Sequence, residues 1–261
     1  MPRIGLIGYG AIASYVACAL KEDGMAPACV LARHGREAAA EAATGATSVT
    51  DTAQMATRAD IIIDCAGHAG LTMHGPALLA AGRDLITLSL GALADAGLQS
   101  TLEAAPKGGG RLHLASGAIG ALDALSAARV GGLEMVRYTG IKPPGGWVGS
   151  PAEEVLDLVA LKVAAPHFTG TARAAALAYP KNANVAAAVA LAGIGFDATE
   201  VQLIADPAAT QNTHRIEARG AFGQFDFVIS GNALPDNPRS SALAAMSAVS
   251  ALRRQTGWLR I

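Results

Sequence analysis

The chain has 261 residues, of which 51% are apolar and 16% charged, which excludes a disordered polypeptide and leaves material for a sizeable core. Lys and Arg number 20 against 21 Asp and Glu, so no broad positive field exists to hold nucleic acid. With aromatic residues at 4%, the interior must be built mainly from Ala, Val, Leu and Ile.

Residues 3–7 form a short β-prone run, broken by GYGAIA, and 14–21 then read as a helix. A second strand is expected at 28–32, followed by Ala-rich helix at 36–43 and a short third strand at 47–49. Asp51 is placed to cap the small helix behind it. The run 60–64 sets three consecutive isoleucines between two aspartates, apolar on both faces as a covered parallel strand should be. Helix at 74–81, strand at 84–88, helix at 98–105 and strand at 111–115 continue an alternation that predicts βαβ units and a parallel sheet.

The pattern changes after Gly117. A helix at 122–128 and an alternating strand at 134–141 precede KPPGGW, 142–147, whose Pro and Gly demand a loop. Helices follow at 153–158, 172–178 and 184–192, then strands at 201–205, 214–219 and 224–229. The last two strands flank GAFG, a hairpin turn. The expected fold class is therefore α/β: an N-terminal Rossmann parallel sheet at 1–117, then an α+β domain at 118–238 with an antiparallel sheet. The closing helix within 239–261 is expected to return to the first domain.

Gly8, Gly10 and Ala13 make G-x-G-x-x-A directly after the first strand. Gly8 permits the tight turn, Gly10 lets a pyrophosphate reach the backbone, and Ala13 lets the helix lie close to its strand. The free amides at Ala11, Ile12 and Ala13 would then face the phosphates. An acidic residue about 20 positions onward would grip the ribose of NAD, but ACVLARHGR offers Arg33, His34 and Arg36 instead. Arginine there suits the extra phosphate of NADP, so the cofactor reading is NAD or NADP.

The segments SGAIGALDAL at 116–125, YPKNANVAAAVALAG at 179–193 and NTHRIEARG at 212–220 resemble the L-aspartate dehydrogenase family, and the likeness runs over essentially the whole chain. That resemblance implies a C-terminal domain that shapes the substrate pocket and helps a homodimer form. It implies oxidation of L-aspartate through iminoaspartate to oxaloacetate and ammonia, in some members feeding NAD biosynthesis. It also implies that His214 is the active-site histidine and that Ala118 and Asn184 contact the cofactor. Asn184 at a helix start could equally cap that helix.

Oxidising an amino acid requires a base for the α-ammonium group or for the attacking water, a task a neutral histidine performs. Two substrate carboxylates call for cations or several donors, and Lys142, Lys181, Asn182 and Ser116 are the candidates. Surface solubility is the plainer account of either lysine taken alone. Asp64 and Cys65 end a parallel strand, where ligands bind in such folds, and Asp64 is read as a cofactor contact and Cys65 as packing. No metal site is expected, since His68 and His74 lack a third ligand. The cysteines Cys18, Cys29 and Cys65 form no CxxC pair, and the apolar stretch 185–196 is too short to span a bilayer. A cytoplasmic enzyme with no membrane or nucleic-acid partner follows. Two alternatives stay open: a dehydrogenase of another amino acid such as homoserine, and a non-catalytic dinucleotide-sensing protein.

Overall fold

The computed structural model describes residues 1–234 and 237–259, without the side chains of Lys107, Pro238 and Arg239. Positions 235, 236, 260 and 261, which the expected domain ranges include, lie outside the described residues. The chain divides into two compact units, Met1–Gly117 with Ala244–Ile261, and Ala118–Leu243.

In the first unit, β1 (Ile4–Ile7), β2 (Cys29–Leu31), β3 (Thr47–Val49), β4 (Ile61–Asp64), β5 (Asp84–Thr87) and β6 (Leu112–Leu114) form one parallel sheet. Its order, β3-β2-β1-β4-β5-β6, is that of the doubly wound dinucleotide-binding fold. Both β1 and β4 are buried along their whole length, because helices cover each face of a parallel sheet. Helix α1 (Ala11–Glu22) buries Ala13, Val16, Ala17 and Leu20, the i, i+3, i+4, i+7 stripe of a helix seated on a sheet. Asp51 caps α3 (Thr52–Arg58), which follows α2 (Glu37–Thr44), by accepting from the Gln54 amide at 2.8 Å. Two helices, α4 (His68–Ala80) and α5 (Ala96–Ala104), complete the βαβ alternation.

The second unit opens with α6 (Leu122–Gly131) and β7 (Leu133–Lys142), and continues through α7 (Ala152–Val155), β8 (Ala165–Thr171), α8 (Ala172–Ala178) and α9 (Asn184–Ala192). Strands β9 (Glu200–Ala205), β10 (Asn212–Gly220) and β11 (Gly223–Gly231) finish a five-stranded sheet of order β11-β10-β7-β9-β8. This sheet is mixed, which corrects the antiparallel expectation. The central strands β7 and β9 run parallel, and the long crossover that parallel neighbours require is made by α7, β8, α8 and α9. Strand β8, unforeseen from the sequence, pairs antiparallel with β9 at the edge. Helix α9 is mostly Ala and Val, and its small side chains let it pack against α6, α8 and β7 at once.

A short pair, β12 (Ala233–Leu234) with β13 (Asn237–Ser241), precedes α10 (Ala242–Thr256). That pair carries the second unit to Leu243, past the boundary expected at 238. Helix α10 adds Ala248, Val249, Ala251 and Leu252 to the core formed by Ile4, Leu6, Val16 and Leu20. Arg253 ties it to Asp23 through two bonds of 2.7 Å. No helix among the described residues is long and apolar enough to cross a membrane.

Candidate active site

The first unit presents a glycine turn at the head of β1. Gly8 adopts φ +87°, a left-handed conformation, and its amide donates to Leu31 at 3.1 Å. A Cβ at Gly8 would also come within 3.1 Å of the Ala66 methyl, so strain and space both favour glycine. Gly10 is the N-cap of α1, and a Cβ there would meet nothing within 4 Å. No side chain caps this helix start, and the amides of Ala11, Ile12 and Ala13 belong to its open first turn. Open space in front of uncapped amides fits the diphosphate of a dinucleotide.

Around this turn the expected contacts are placed unevenly. Arg33 and His34 are exposed just beyond β2, and His34 lies 3.3 Å from Glu37 at the start of α2. Asp64, expected among the cofactor contacts, is fully buried, and this is a correction. One oxygen accepts from Thr87 Oγ1 at 2.8 Å and Ser89 Oγ at 2.9 Å, the other from the Ala66 amide at 3.0 Å. The carboxylate therefore ties together the ends of β4 and β5 and the turn that faces Gly8, and it has no surface left for a ligand. Cys65 has its thiol pKa pushed far up, by burial first and then by Asp64, so it offers no thiolate. Ser116, half-buried, closes the first unit one residue before Gly117.

In the second unit the chemistry gathers on the buried face of β7 and β10. His214 pairs with Gly140 across the antiparallel register, and only 4% of its surface is exposed. Its Nδ1 lies 2.8 Å from the hydroxyl of Tyr138, a residue on the same face of β7 as Gly140. Burial, and next the positive charge of Lys142, push the His214 pKa down to about 4, so the ring is neutral at pH 7. Lys142 ends that same face of β7. Its Nζ donates to Asn182 Oδ1 at 2.9 Å and stands 4.7 Å from the centre of the Trp147 ring, while burial lowers its pKa to about 8.

Lys142, Lys181 and Asn182 line one cavity of about 990 Å³, together with Gln211, Asn212 and Asn232. Its described lining contains no Asp or Glu, so the electrostatics favour an anion. Ser116 belongs to the other unit and is not among those lining residues. Ala118 is half-buried at the start of the second unit, and Asn184 is the first residue of α9, whose cap position is Ala183. Sequence reasoning missed Tyr138, Gly140 and Trp147. A tyrosine on the inward face of an alternating strand was the available signal, since a buried phenol needs a partner.

A second buried ring, His167, sits beside Trp147 at 4.3 Å and Tyr179 at 5.4 Å, and its pKa also falls to about 4 through burial and Lys142. In the unfolded chain both histidines protonate below about pH 6.5, whereas the folded protein holds them neutral down to about pH 4. Stability is thus intact above about pH 6.5 and declines as pH falls toward 4, by about 3 kcal/mol for each ring. Melting temperatures measured across this range should fall, and His167→Phe should remove part of the decline, the rest belonging to His214 and to His74, which burial also lowers. A flat profile would show that these rings are not held neutral.

A parallel sheet of this order, led by an open glycine turn, defines a dinucleotide-binding domain of the Rossmann class. The comparisons narrow this further. Residues 8–115 match the homoserine dehydrogenase NAD-binding domain, and 123–255 match the C-terminal domain of aspartate dehydrogenase. The L-aspartate dehydrogenase of Ruegeria pomeroyi is 57% identical over 99% of this chain and 94% of its own length. That of Cupriavidus necator is 46% identical, with 97% of each covered. Among solved structures, the aspartate dehydrogenase of Thermotoga maritima superposes with a TM-score of 0.75 at 24% identity, over 100% of this chain and 99% of that one, which shows the shared fold. The chain belongs to the L-aspartate dehydrogenase family.

Proposed function

We propose that this enzyme oxidises L-aspartate with NAD or NADP, by way of iminoaspartate, to oxaloacetate and ammonia, a route that can feed NAD biosynthesis. One observation carries the reading beyond family membership. A cavity lined by two lysines and several amides, with no acidic residue in its described lining, lies at the end of the strand face that holds a buried, neutral histidine. A dicarboxylate matches that charge pattern.

In this reading Gly8, Gly10 and the amides of Ala11, Ile12 and Ala13 hold the diphosphate, Arg33 and His34 flank the adenosine ribose, and Ala118 and Asn184 contact the nicotinamide end. The cofactor, when bound, supplies the acceptor for the hydride that leaves the substrate Cα. His214 takes a proton from the α-ammonium group, or from the water that attacks the imine carbon. Lys142 and Lys181 pair with the carboxylates, with Asn182 holding the Lys142 ammonium in place and Ser116 a further donor. A carboxylate beside Lys142 opposes the burial that depresses its pKa and restores its full charge. The exposed Arg33, where an acidic residue would select NAD, supports acceptance of NADP. The enzyme is taken to act as a cytoplasmic homodimer, a reading its three free cysteines fit as far as the compartment is concerned.

Initial rates with L-aspartate and each cofactor, set against homoserine and other amino acids, test the assignment. Aspartate should give the highest kcat/KM. Equal or better turnover of homoserine would defeat it, and tight cofactor binding without turnover of any amino acid would make the protein a sensor.

A further inference from the structure

We propose that Tyr138 is the positioning residue for His214, accepting a hydrogen bond from Nδ1–H so that Nε2 keeps the lone pair that takes the proton. The inference rests on the assignment of proton transfer to His214 and adds the residue that sets its tautomer.

Three features of the second unit carry it. First, the phenol oxygen is 2.8 Å from Nδ1, and the two rings lie 20° from parallel with centres 6.0 Å apart, so the contact is aligned. Second, the backbone makes room for it. Tyr138 and Gly140 occupy the same face of β7, and Gly140 stands directly across from His214 in the β7–β10 register. A Cβ at Gly140 would lie 2.7 Å from the phenol oxygen and 3.2 Å from the ring carbon that bears it. Glycine therefore opens the path along which the tyrosine reaches the neighbouring strand. Third, Tyr138 is buried to within 1% and its pKa is driven far up by that burial, so it stays a neutral phenol.

The chemistry fixes the direction of the bond. A neutral imidazole has one N–H and one lone pair, and the partner of one nitrogen decides what the other can do. If the phenol donated to Nδ1, the ring hydrogen would sit on Nε2 and neither nitrogen could accept a proton. With Nδ1–H donating, Nε2 is free, and the same bond strengthens once the ring becomes a cation. A phenol also orients the ring without adding a full negative charge, which would otherwise draw the pKa upward and hold the proton.

Two measurements on the full chain decide the matter. Long-range proton–nitrogen spectra of protein labelled at histidine nitrogens report the tautomer, with the His214 signal identified by its loss in His214→Ala. The wild type is expected to show hydrogen on Nδ1 at pH 7. In Tyr138→Phe, which removes a single oxygen, the Nε2–H form that free imidazole side chains prefer should take over. In that variant kcat should fall roughly 10- to 100-fold, with KM for L-aspartate and cofactor affinity within about twofold. Hydrogen on Nε2 in the wild type, or an unchanged tautomer and kcat in Tyr138→Phe, would overturn the proposal. If Tyr138→Phe were inert while His214→Ala abolished turnover, only the role of Tyr138 would fall. Full activity in His214→Ala would remove both assignments.

Discussion

Replacing His214 by alanine is expected to lower kcat for L-aspartate oxidation by about three orders of magnitude, with cofactor affinity changed less than about twofold. The ring is neutral at pH 7, so nearly every molecule carries the proton-accepting form. A base with a pKa near 4 is nevertheless a weak one, because the best catalytic pKa lies near the working pH. Lys142 supplies part of the depression, and a substrate carboxylate paired with that cation cancels its charge. The ring thus becomes more basic when a dicarboxylate is bound. Cofactor affinity should survive, since the glycine turn and uncapped amides belong to the first unit. Removing a buried ring also costs stability, so single-turnover rates and cofactor titrations belong at temperatures where circular dichroism shows the variant folded. A kcat within tenfold of wild type would remove His214 from the chemistry.

Lys142→Met should raise KM for L-aspartate roughly 10- to 100-fold, the loss of one charge-assisted hydrogen bond of about 1.5–3 kcal/mol. Methionine keeps most of the length and the apolar stem, so the change removes the ammonium group together with its contact over the Trp147 ring. A second effect has a definite sign. Without the cation, the His214 pKa should rise from about 4 toward its ordinary value, though only in part, because burial is the larger cause. The acid limb of the kcat/KM profile should therefore move to higher pH. Unchanged KM together with an unmoved limb would transfer carboxylate binding to Lys181, which is exposed at the cavity.

The parts of this molecule that were legible in its sequence are the local ones. The strand, glycine turn and helix around Gly8 and Gly10 follow from neighbouring residues, as does the Asp51 cap, whose donor is three positions away. Helix α9 begins at Asn184 and ends at Ala192, as its continuous run of Ala, Val and Leu predicts. Pairing over long separations was not legible. Whether β7 meets β9 in parallel depends on how the helices between them fold back, and the edge strand β8 contains Pro166 and Gly170, which weaken any strand signal. The site divides the same way. Lys142, Lys181 and Asn182 lie in short segments recognisable one by one. Tyr138 reaches His214 only because strands 76 residues apart settle in one register, and a single-residue slip would turn the phenol to the opposite face. Asp64 misled because the end of a parallel strand is a usual place for ligands, and here Thr87 and Ser89 claim the carboxylate first.

Helix α10 gives the first unit an unusual biography. Ala248, Val249, Ala251 and Leu252 fill the same interior as Ile4 and Leu6, yet the ribosome makes them only after the second unit has been synthesised. The nucleotide-binding half thus waits for its last inward-facing side chains while its neighbour already has its full complement. Order of manufacture and order of completion are reversed in this polypeptide.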